Sequence, residues 1–368
     1  MPRAGQTKTP PCGRLPDRIA VGLLVSAFPP ALVDRAVADC GRTEQRSRLL
    51  PARVVVYFVL AICLFSTHSY SEVAHLLTQG MAWSGQEPAP RVPTTAAITR
   101  ARDRLGTDPL KALFTDVARR APARRPEQAR LPWRVRRLSH ATFSVPDSAE
   151  NRERYGFPSP SGPAWRAYPQ VGVVTLAEQH SGTLTHAEFA PAGSLPAAAA
   201  SWLPRVLTAD DLVLVDDCGA RPQAWPPGCP TGGNLVWRAA PDGAGAPVTG
   251  EPLPDGSCLT EISGTGRSGA EERVTARVIV AGGRDGEGPG RLLTTVLDHQ
   301  AAPAAVLAAL FHRRCGSEHC LQQWRTRVCE AAPPTVLRSR WPEGVEQELW
   351  GYLLVHHAVR SVLCGDGP

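Results

Sequence analysis

Lysine is nearly missing from this sequence of 368 residues: of its 40 basic side chains, all except Lys8 and Lys111 are arginines. The planar guanidinium group binds phosphate with two parallel hydrogen bonds, so the skew towards arginine supports a nucleic-acid partner. The formal net charge of +6 agrees with such a partner. A GC-rich codon bias would produce the same composition, and composition is therefore weak support.

Closely spaced cysteine pairs are also missing. The ten cysteines include no CxxC motif, and the two nearest to each other are Cys315 and Cys320. Paired spacing is typical of zinc sites, and a dense set of disulfides is typical of small secreted domains. We therefore predict reduced thiols and a cytoplasmic location.

No apolar run is long enough to cross a bilayer. The longest, residues 54–65, has twelve residues, whereas a membrane-spanning helix needs about 20. The first residues, MPRAGQTKTPPCGR, contain no apolar segment of the kind that a signal peptide requires. Hydrophobic residues make up 43% of the chain, enough for two or three domains with their own cores. We expect a soluble protein without a membrane partner.

The N-terminal third has the apolar spacing of helices. Residues 1–16 are predicted to be disordered and residues 17–120 to form an all-α domain. The segment at 53–65 is apolar on nearly all sides and should be central. The pattern predicts three helices before residue 80, at 31–40, 53–65 and 70–79.

One further helix in this region carries arginines. The pair Thr94-Thr95 predicts an N-cap, and Gly106 predicts the end of a helix that runs to Leu105. Arg100 and Arg104 are four residues apart on it and therefore share a face. That face suits contacts with DNA phosphates, although an ordinary solvated face has the same pattern.

The chain changes character after residue 120. Residues 121–137 are rich in proline and arginine and indicate a linker. Extended patterns follow at 134–144, 170–178 and 182–189, then a helix at 194–207 and a buried strand, Leu212–Val215. Three antiparallel strands, a helix and a buried parallel strand are the order of an RNase H-like core, so we predict an α/β fold.

Asp216 follows the buried strand directly. Buried strands of α/β sheets present ligand-binding groups at their carboxyl ends, which makes Asp216 a candidate site residue. A turn-forming aspartate is the commoner interpretation of a strand followed by Asp when nothing else supports a site.

The rest of the chain is assigned to the same domain, 138–368. Residues 219–290 are rich in glycine and proline and predict a β-rich insertion with short strands. The remaining predicted elements are strands at 234–238, 272–280 and 292–297 and helices at 304–314, 318–328 and 345–363.

A motif in the second half carries a resemblance to a known family. Phe311-x2-Arg314-x3-Glu318-x6-Arg325 resembles the Y-x2-R-x3-E-x6-K signature of insertion-sequence DDE transposases of the IS-four type. Residues 15–61 and 337–360 are similar to the same family. On a helix the motif residues share one face, with Arg314 and Arg325 beside Glu318. A salt-bridged surface helix is the ordinary interpretation of R-x3-E alone.

The resemblance implies a chemistry. Family members cut and join DNA through three carboxylates that bind two magnesium or manganese ions. Asp216 matches the second carboxylate and Glu318 the third, while Arg314 and Arg325 match positions that hold DNA phosphates. Trp237 would stack on an unpaired DNA base. The alternative is that Trp237 packs in the hydrophobic core.

The first carboxylate is missing. Aligning the family's V-P-D on Val145-Pro146-Asp147 puts Ser139 where the first metal-binding aspartate belongs. A neutral hydroxyl is a poor ligand for a hard dication that depends on carboxylate charge. The neighbouring His140 should face the other side of the strand and cannot substitute. Catalysis is therefore expected to be weak or lost.

Three hypotheses follow. The leading one is a transposase-family protein that binds double-stranded DNA, both element ends and target, as a homodimer in a synaptic complex. The second is a non-catalytic DNA-binding remnant that recognises terminal repeats. The third is a decayed product that does not fold stably.

Overall fold

The computed structural model describes ten stretches of the chain, which fall into two compact units, one helical and one built on a sheet. The helical unit combines described residues from 15–117 with 338–363, and the sheet unit lies between 118 and 337. The described residues are 15–44, 50–83, 92–120, 131–157, 168–215, 233–239, 252–265, 271–281, 290–313 and 336–363.

Within the described residues, the helical unit contains six helices from the N-terminal part of the chain and one from the C-terminal part. Their bounds are α1 Leu15–Ala27, α2 Pro30–Asp39, α3 Ala52–Leu64, α4 Tyr70–Trp83, α5 Thr95–Leu105, α6 Asp108–Arg120 and α10 Pro342–Leu363.

Helix α3 is the centre of this unit. Every residue from Val55 to Cys63 is buried, because α3 contacts α1, α2, α4, α5 and α10. A helix that is surrounded by other helices has no solvent-exposed face, so its residues are apolar on all sides. The predicted central helix is confirmed.

Helix α5 begins and ends where its sequence predicts. The Thr94 hydroxyl accepts a hydrogen bond from the Ala97 amide at 3.3 Å, which satisfies one of the unpaired N–H groups of the first turn. Gly106 ends the helix with a φ of 68°, in the left-handed region that glycine adopts without strain. Ile98, Ala101 and Leu105 face the core.

Helix α10 belongs to the helical unit, although its sequence position had assigned it to the RNase H-like domain. It packs closely against α3: a Cβ added to Gly351 would stand 2.7 Å from Cys63 Sγ and 3.1 Å from Val59 Cγ1. Only a residue without a side chain allows this approach. The position of α10 in the chain does not show which unit it joins, because an apolar helix face does not specify which distant helix packs against it.

The sheet unit contains eight strands and three helices in the described residues. The strands are β1 Arg134–Ser144, β2 Gln170–Glu178, β3 Leu184–Pro191, β4 Asp211–Val215, β5 Asn234–Arg238, β6 Cys258–Thr265, β7 Glu271–Ala281 and β8 Gly290–Thr294. The helices are α7 Ala149–Tyr155, α8 Leu195–Val206 and α9 Ala304–His312.

The strands form one mixed sheet in the order β3-β2-β1-β4-β5-β8-β7-β6. Strand β1 is antiparallel to β2 and parallel to β4, and β4 is parallel to β5. Strands β5, β8, β7 and β6 then pair antiparallel. The predicted class, α/β preceded by helices, is confirmed.

Strand β4 is buried on both faces. Val213 and Val215 lie in a cluster with Leu203 of α8, whereas Leu212 and Leu214 lie in a cluster with residues of α9. Alternating side chains of one strand therefore contribute to two cores.

The segment predicted as a β-rich insertion is arranged differently from the expectation. Asn234–Arg238, predicted as an insertion strand, is β5 and pairs with β4 inside the main sheet. Strands β6 and β7 continue that sheet through β8. Strand pairing over this range depends on long-range hydrogen bonds that local sequence patterns do not encode.

Within the described residues, no single helix is long and apolar enough to cross a membrane. Ile19–Ala27 and Pro30–Asp39 reach that length only together, as a pair bent by 55°.

Candidate functional site

The carboxyl end of β4 is the predicted location of the second acid. Val215, the last described residue of β4, pairs with Leu138 of β1. Ser139 follows Leu138, as Asp216 follows Val215. The predicted site residues Asp216, Arg314, Glu318 and Arg325 lie outside the described residues.

Ser139 is buried in the middle of the sheet. It is 4% exposed and pairs with Thr175 of β2, whose hydroxyl donates to the Ser139 carbonyl at 3.5 Å. Leu138 lies in the cluster on the α8 side of the sheet, so the Ser139 side chain lies on the α9 side. At this position the site contains a hydroxyl and no carboxylate.

Two nearby titratable groups do not replace the missing acid. His140 is exposed while Ser139 is buried, as the alternation of strand side chains predicts. Asp147 lies beyond β1 and forms a two-pronged ion pair with Arg152. The hydrogen bonds from Arg152 lower the pKa of the Asp147 carboxyl.

Metal-ligating side chains are not grouped in the part of the chain that the structure describes. There, no set of three or more His, Cys, Asp or Glu residues could hold a metal ion. Neither of the two predicted acids falls in that part.

A buried arginine on β1 anchors helix α9. Arg137 is fully buried, and its Nη2 donates to the carbonyls of Phe311 at 3.0 Å and Arg313 at 3.2 Å. Its Nε donates to Gln179 Oε1 at 3.0 Å, and Gln179 Nε2 donates to the Arg313 carbonyl at 3.0 Å. The last carbonyls of a helix lack partners within it and favour a nearby cation.

The other end of α9 is held by a carboxylate. Asp255 Oδ2 accepts from the amide of Ala304, the first residue of α9, at 2.8 Å. Burial pushes the pKa of Asp255 upwards, but hydrogen bonds from Ser257 and Ala304 outweigh it and lower the pKa. Helix α9 thus has an acid at its N-terminus and an arginine at its C-terminus, both matched to its dipole.

Replacing Arg137 by methionine tests this anchor. We expect the free energy of unfolding of the sheet unit to fall by about 2–3 kcal/mol, because hydrogen bonds to a charged group are lost and carbonyls stay buried. Chemical denaturation measures the loss, and amide hydrogen exchange should rise in residues 304–312. Arg291→Met, at an exposed position on β8, is the control. An equal effect of the two substitutions would refute the anchor.

The opposite end of β1 and β4 carries a buried charge cluster. Asp211 is fully buried, and its Oδ1 lies 3.1 Å from Arg134 Nη2 and 3.3 Å from Arg136 Nε. Asp211 Oδ2 accepts from the Thr208 amide at 2.8 Å. Burial raises the pKa of Glu178, which lies 3.5 Å from Arg136. These opposite charges pair with one another at the buried end of the two strands.

The predicted DNA-binding arginines of α5 are accessible. Arg100 and Arg104 are both exposed, and Arg104 Nη1 donates to the Arg100 carbonyl at 3.1 Å. Glu44 lies 3.8 Å from Arg104. Arg42 lies beside these two arginines, because its Nη1 donates to the Arg104 carbonyl at 3.3 Å. The sequence did not predict Arg42, which lies 62 residues before Arg104.

Trp237 lies in β5, with its indole partly buried against two hydrophobic clusters. Its backbone pairs with Val215 and Leu293 on the neighbouring strands. These contacts favour the core role that was the alternative for this residue. Stacking on a DNA base stays a prediction.

Sequence reasoning missed Arg102, Arg137 and Asp211, all of them fully buried. The available signal was a charged side chain inside an otherwise apolar pattern, such as Arg137 before Leu138. Such a residue is rare in a core unless it is paired, so it indicates a buried network.

Comparison with known proteins finds similarity to transposases. Residues 18–115 match the family described as Insertion element 4 transposase N-terminal. The transposase InsG of insertion sequence element IS4 from Escherichia coli (strain K12) is 25% identical over 350 residues, covering 90% of this chain and 74% of InsG. A piggyBac transposase synaptic complex with hairpin DNA aligns over 94% of this chain and 76% of its own, at 9% identity and a TM-score of 0.40, too low to establish a common fold.

The match over residues 18–115 and the similarity to InsG support the class of transposase. Within that class the matches support an IS4-family transposase, as the motifs predicted.

Proposed function

We propose that this protein binds the end DNA of an insertion element, and that its ability to cut and join strands is impaired because Ser139 occupies the first acid position. In this proposal the helical unit supplies DNA contacts through Arg100 and Arg104. The sheet unit is an RNase H-like core that retains Asp216 and Glu318. Target DNA and a second copy of the chain complete the synaptic complex.

The sheet topology supports an RNase H-like core. Five neighbouring strands have the order β3-β2-β1-β4-β5, with three antiparallel strands followed by two parallel ones. In α/β sheets, sites lie at the carboxyl ends of parallel strands. The parallel pairing of β1 with β4 ends at Leu138 and Val215, and each of these residues precedes a candidate site residue. The β6–β8 strands extend the sheet beyond β5.

The observation that carries the proposal is the buried hydroxyl of Ser139 on the strand beside β4. The family's chemistry uses two divalent ions, magnesium or manganese, that activate the attacking oxygen and stabilise the leaving one. Those ions need carboxylate charge on both strands. Ser139 supplies none, and Arg137 brings a buried guanidinium to the same strand face. The described residues therefore do not fit a complete two-metal site.

A nicking assay tests the loss of cleavage. With magnesium or manganese and DNA carrying the element's own ends, the wild-type chain should cleave no faster than Glu318→Ala, because the first metal ligand is missing. Ser139→Asp restores a carboxylate at the first metal-binding position. A higher cleavage rate for this variant than for the wild type would be a gain of function. Robust wild-type cleavage that Glu318→Ala abolishes would contradict the proposal.

Binding without cleavage is the second candidate function, and the exposure of Arg100 and Arg104 favours it. Affinity for end DNA should fall as salt rises, because bound arginines release counterions from the phosphates. Replacing Arg100 or Arg104 by alanine should lower the salt slope by about 1 each.

The matched control for these arginines is Arg35→Ala, because Arg35 is an arginine of the same unit that pairs with Asp116 at 2.6 Å. It should leave the salt slope nearly unchanged. Equal binding of end DNA and random duplex at physiological salt would count against end recognition.

A further inference from the structure

Helix α5 presents two sides with opposite roles. Arg100 and Arg104 are exposed on one side, while Arg102 on the other is fully buried. A buried guanidinium is stable only when its N–H groups have partners. The partners of Arg102 therefore reveal what holds the arginine-bearing helix.

Most of those partners come from the end of the chain. Arg102 Nη2 donates to Ser339 Oγ at 3.0 Å and to the Gly344 carbonyl at 2.8 Å. Its Nε donates to Gln347 Oε1 at 2.9 Å. The carboxylate of Glu348 lies 3.7 Å away. From the N-terminal helices, the Tyr70 hydroxyl accepts from Nη1 at 2.7 Å.

Gln347 also returns hydrogen bonds to α5. Its Nε2 donates to the Arg102 carbonyl at 2.8 Å and to the Gly106 carbonyl at 2.9 Å. The Arg102 carbonyl also accepts from the Gly106 amide at 3.1 Å, whereas the Gly106 carbonyl lies past the last turn of α5, so Gln347 acts as a cap supplied from 241 residues away. The Trp341 ring lies over the Arg102 guanidinium, 4.9 Å from its centroid.

We infer that residues 339–348 are the support that positions α5 for DNA, with Arg102 and Gln347 as positioning residues. The inference rests on the proposed DNA contacts of Arg100 and Arg104, which lie two residues on either side of Arg102. The orientation of both exposed arginines depends on the axis and last turn of α5. Those features are held by side chains of the C-terminal segment.

The test uses the full-length chain with Gln347→Met, which keeps the side-chain volume and removes both the donor and the acceptor. Arg338→Met is the matched control. Arg338 comes from the same segment, but its guanidinium donates to the carbonyls of Phe65, Ser66 and His68 after α3 and lies 5.7 Å from the centroid of the Tyr70 ring.

Two measurements separate positioning from general stability. Amide hydrogen exchange without DNA should rise in the last turn of α5 for Gln347→Met, and around residues 65–68 for Arg338→Met. Affinity for an end-DNA duplex, measured where both variants are folded, should fall about tenfold for Gln347→Met, or about 1.4 kcal/mol. Arg338→Met should bind as the wild type does.

Unchanged exchange in α5 for Gln347→Met would overturn the inference, as would faster exchange with unchanged DNA affinity. An equal loss of affinity in the Arg338→Met control would also overturn it, because stability alone would then explain both. If the wild-type chain does not bind end DNA, the proposed function fails, while the exchange measurement still decides whether Gln347 holds α5.

Discussion

Asp211→Asn should be among the most destabilising single substitutions in the sheet unit. Its carboxylate is fully buried and balances Arg134 and Arg136, at 3.1 and 3.3 Å. Removing one partner of a buried ion pair leaves the other charge uncompensated, which typically costs about 3–5 kcal/mol. Because Arg136 retains Glu178 at 3.5 Å, we expect about 3 kcal/mol. Chemical denaturation of the sheet unit measures the change.

The control is the same substitution at the surface, Asp147→Asn. Asp147 also pairs with an arginine, Arg152, but both side chains are substantially exposed. Exposed pairs contribute about 0–1 kcal/mol because water competes for both charges. If the two substitutions lowered stability equally, the buried cluster would not have the structural role assigned to it.

His356→Leu should make the helical unit more stable in acid than the wild type. His356 lies in α10, 2% exposed, and within the described residues neither ring nitrogen has a hydrogen-bond partner. Burial, with smaller contributions from Arg360 and His357, lowers its pKa from 6.5 to about 3. The native state therefore keeps this ring neutral where the unfolded chain protonates it.

The direction of the pH effect follows from that difference. As the pH falls below 6.5, His356 binds a proton in the unfolded state but stays neutral in the native state. The free energy of unfolding of the wild type therefore decreases until about pH 3. The difference between variant and wild type should reach about 2 kcal/mol at pH 5 and about 3 kcal/mol at pH 4.

Chemical denaturation monitored by circular dichroism across this pH range measures the difference in free energy of unfolding between the wild type and His356→Leu. His180→Leu is the control, because His180 is exposed in the β2–β3 turn and meets water in both states. Parallel pH profiles for wild type and His356→Leu would show that the ring is not buried as a neutral group.

The family was predictable from sequence because motifs record ancestry residue by residue. The spacing around Glu318 and the sequence of residues 15–61 resemble IS-four transposases, and the match over residues 18–115 and the similarity to InsG support that family. The departure at Ser139 was equally visible in sequence. The structure adds that this serine is buried beside the strand that ends at Val215.

Partners of buried groups were not predictable. Helical spacing puts Arg102 on another face from Arg100 and Arg104, but it does not reveal that Arg102 is fully buried and bonded to Gln347, 245 residues away. Arg137 looked like part of a basic linker, yet it anchors the end of α9. Whether an arginine faces water or a carbonyl depends on which distant segment covers it.

The sequence by itself determined the local elements and the family. Thr94 and Gly106 bound α5, and the apolar run of α3 made it central, because capping and burial act within a few residues. Only the tertiary structure decided that α10 joins the N-terminal helices and that β5 pairs with β4. Those choices depend on contacts between segments far apart in the chain, where many pairings satisfy the same local pattern.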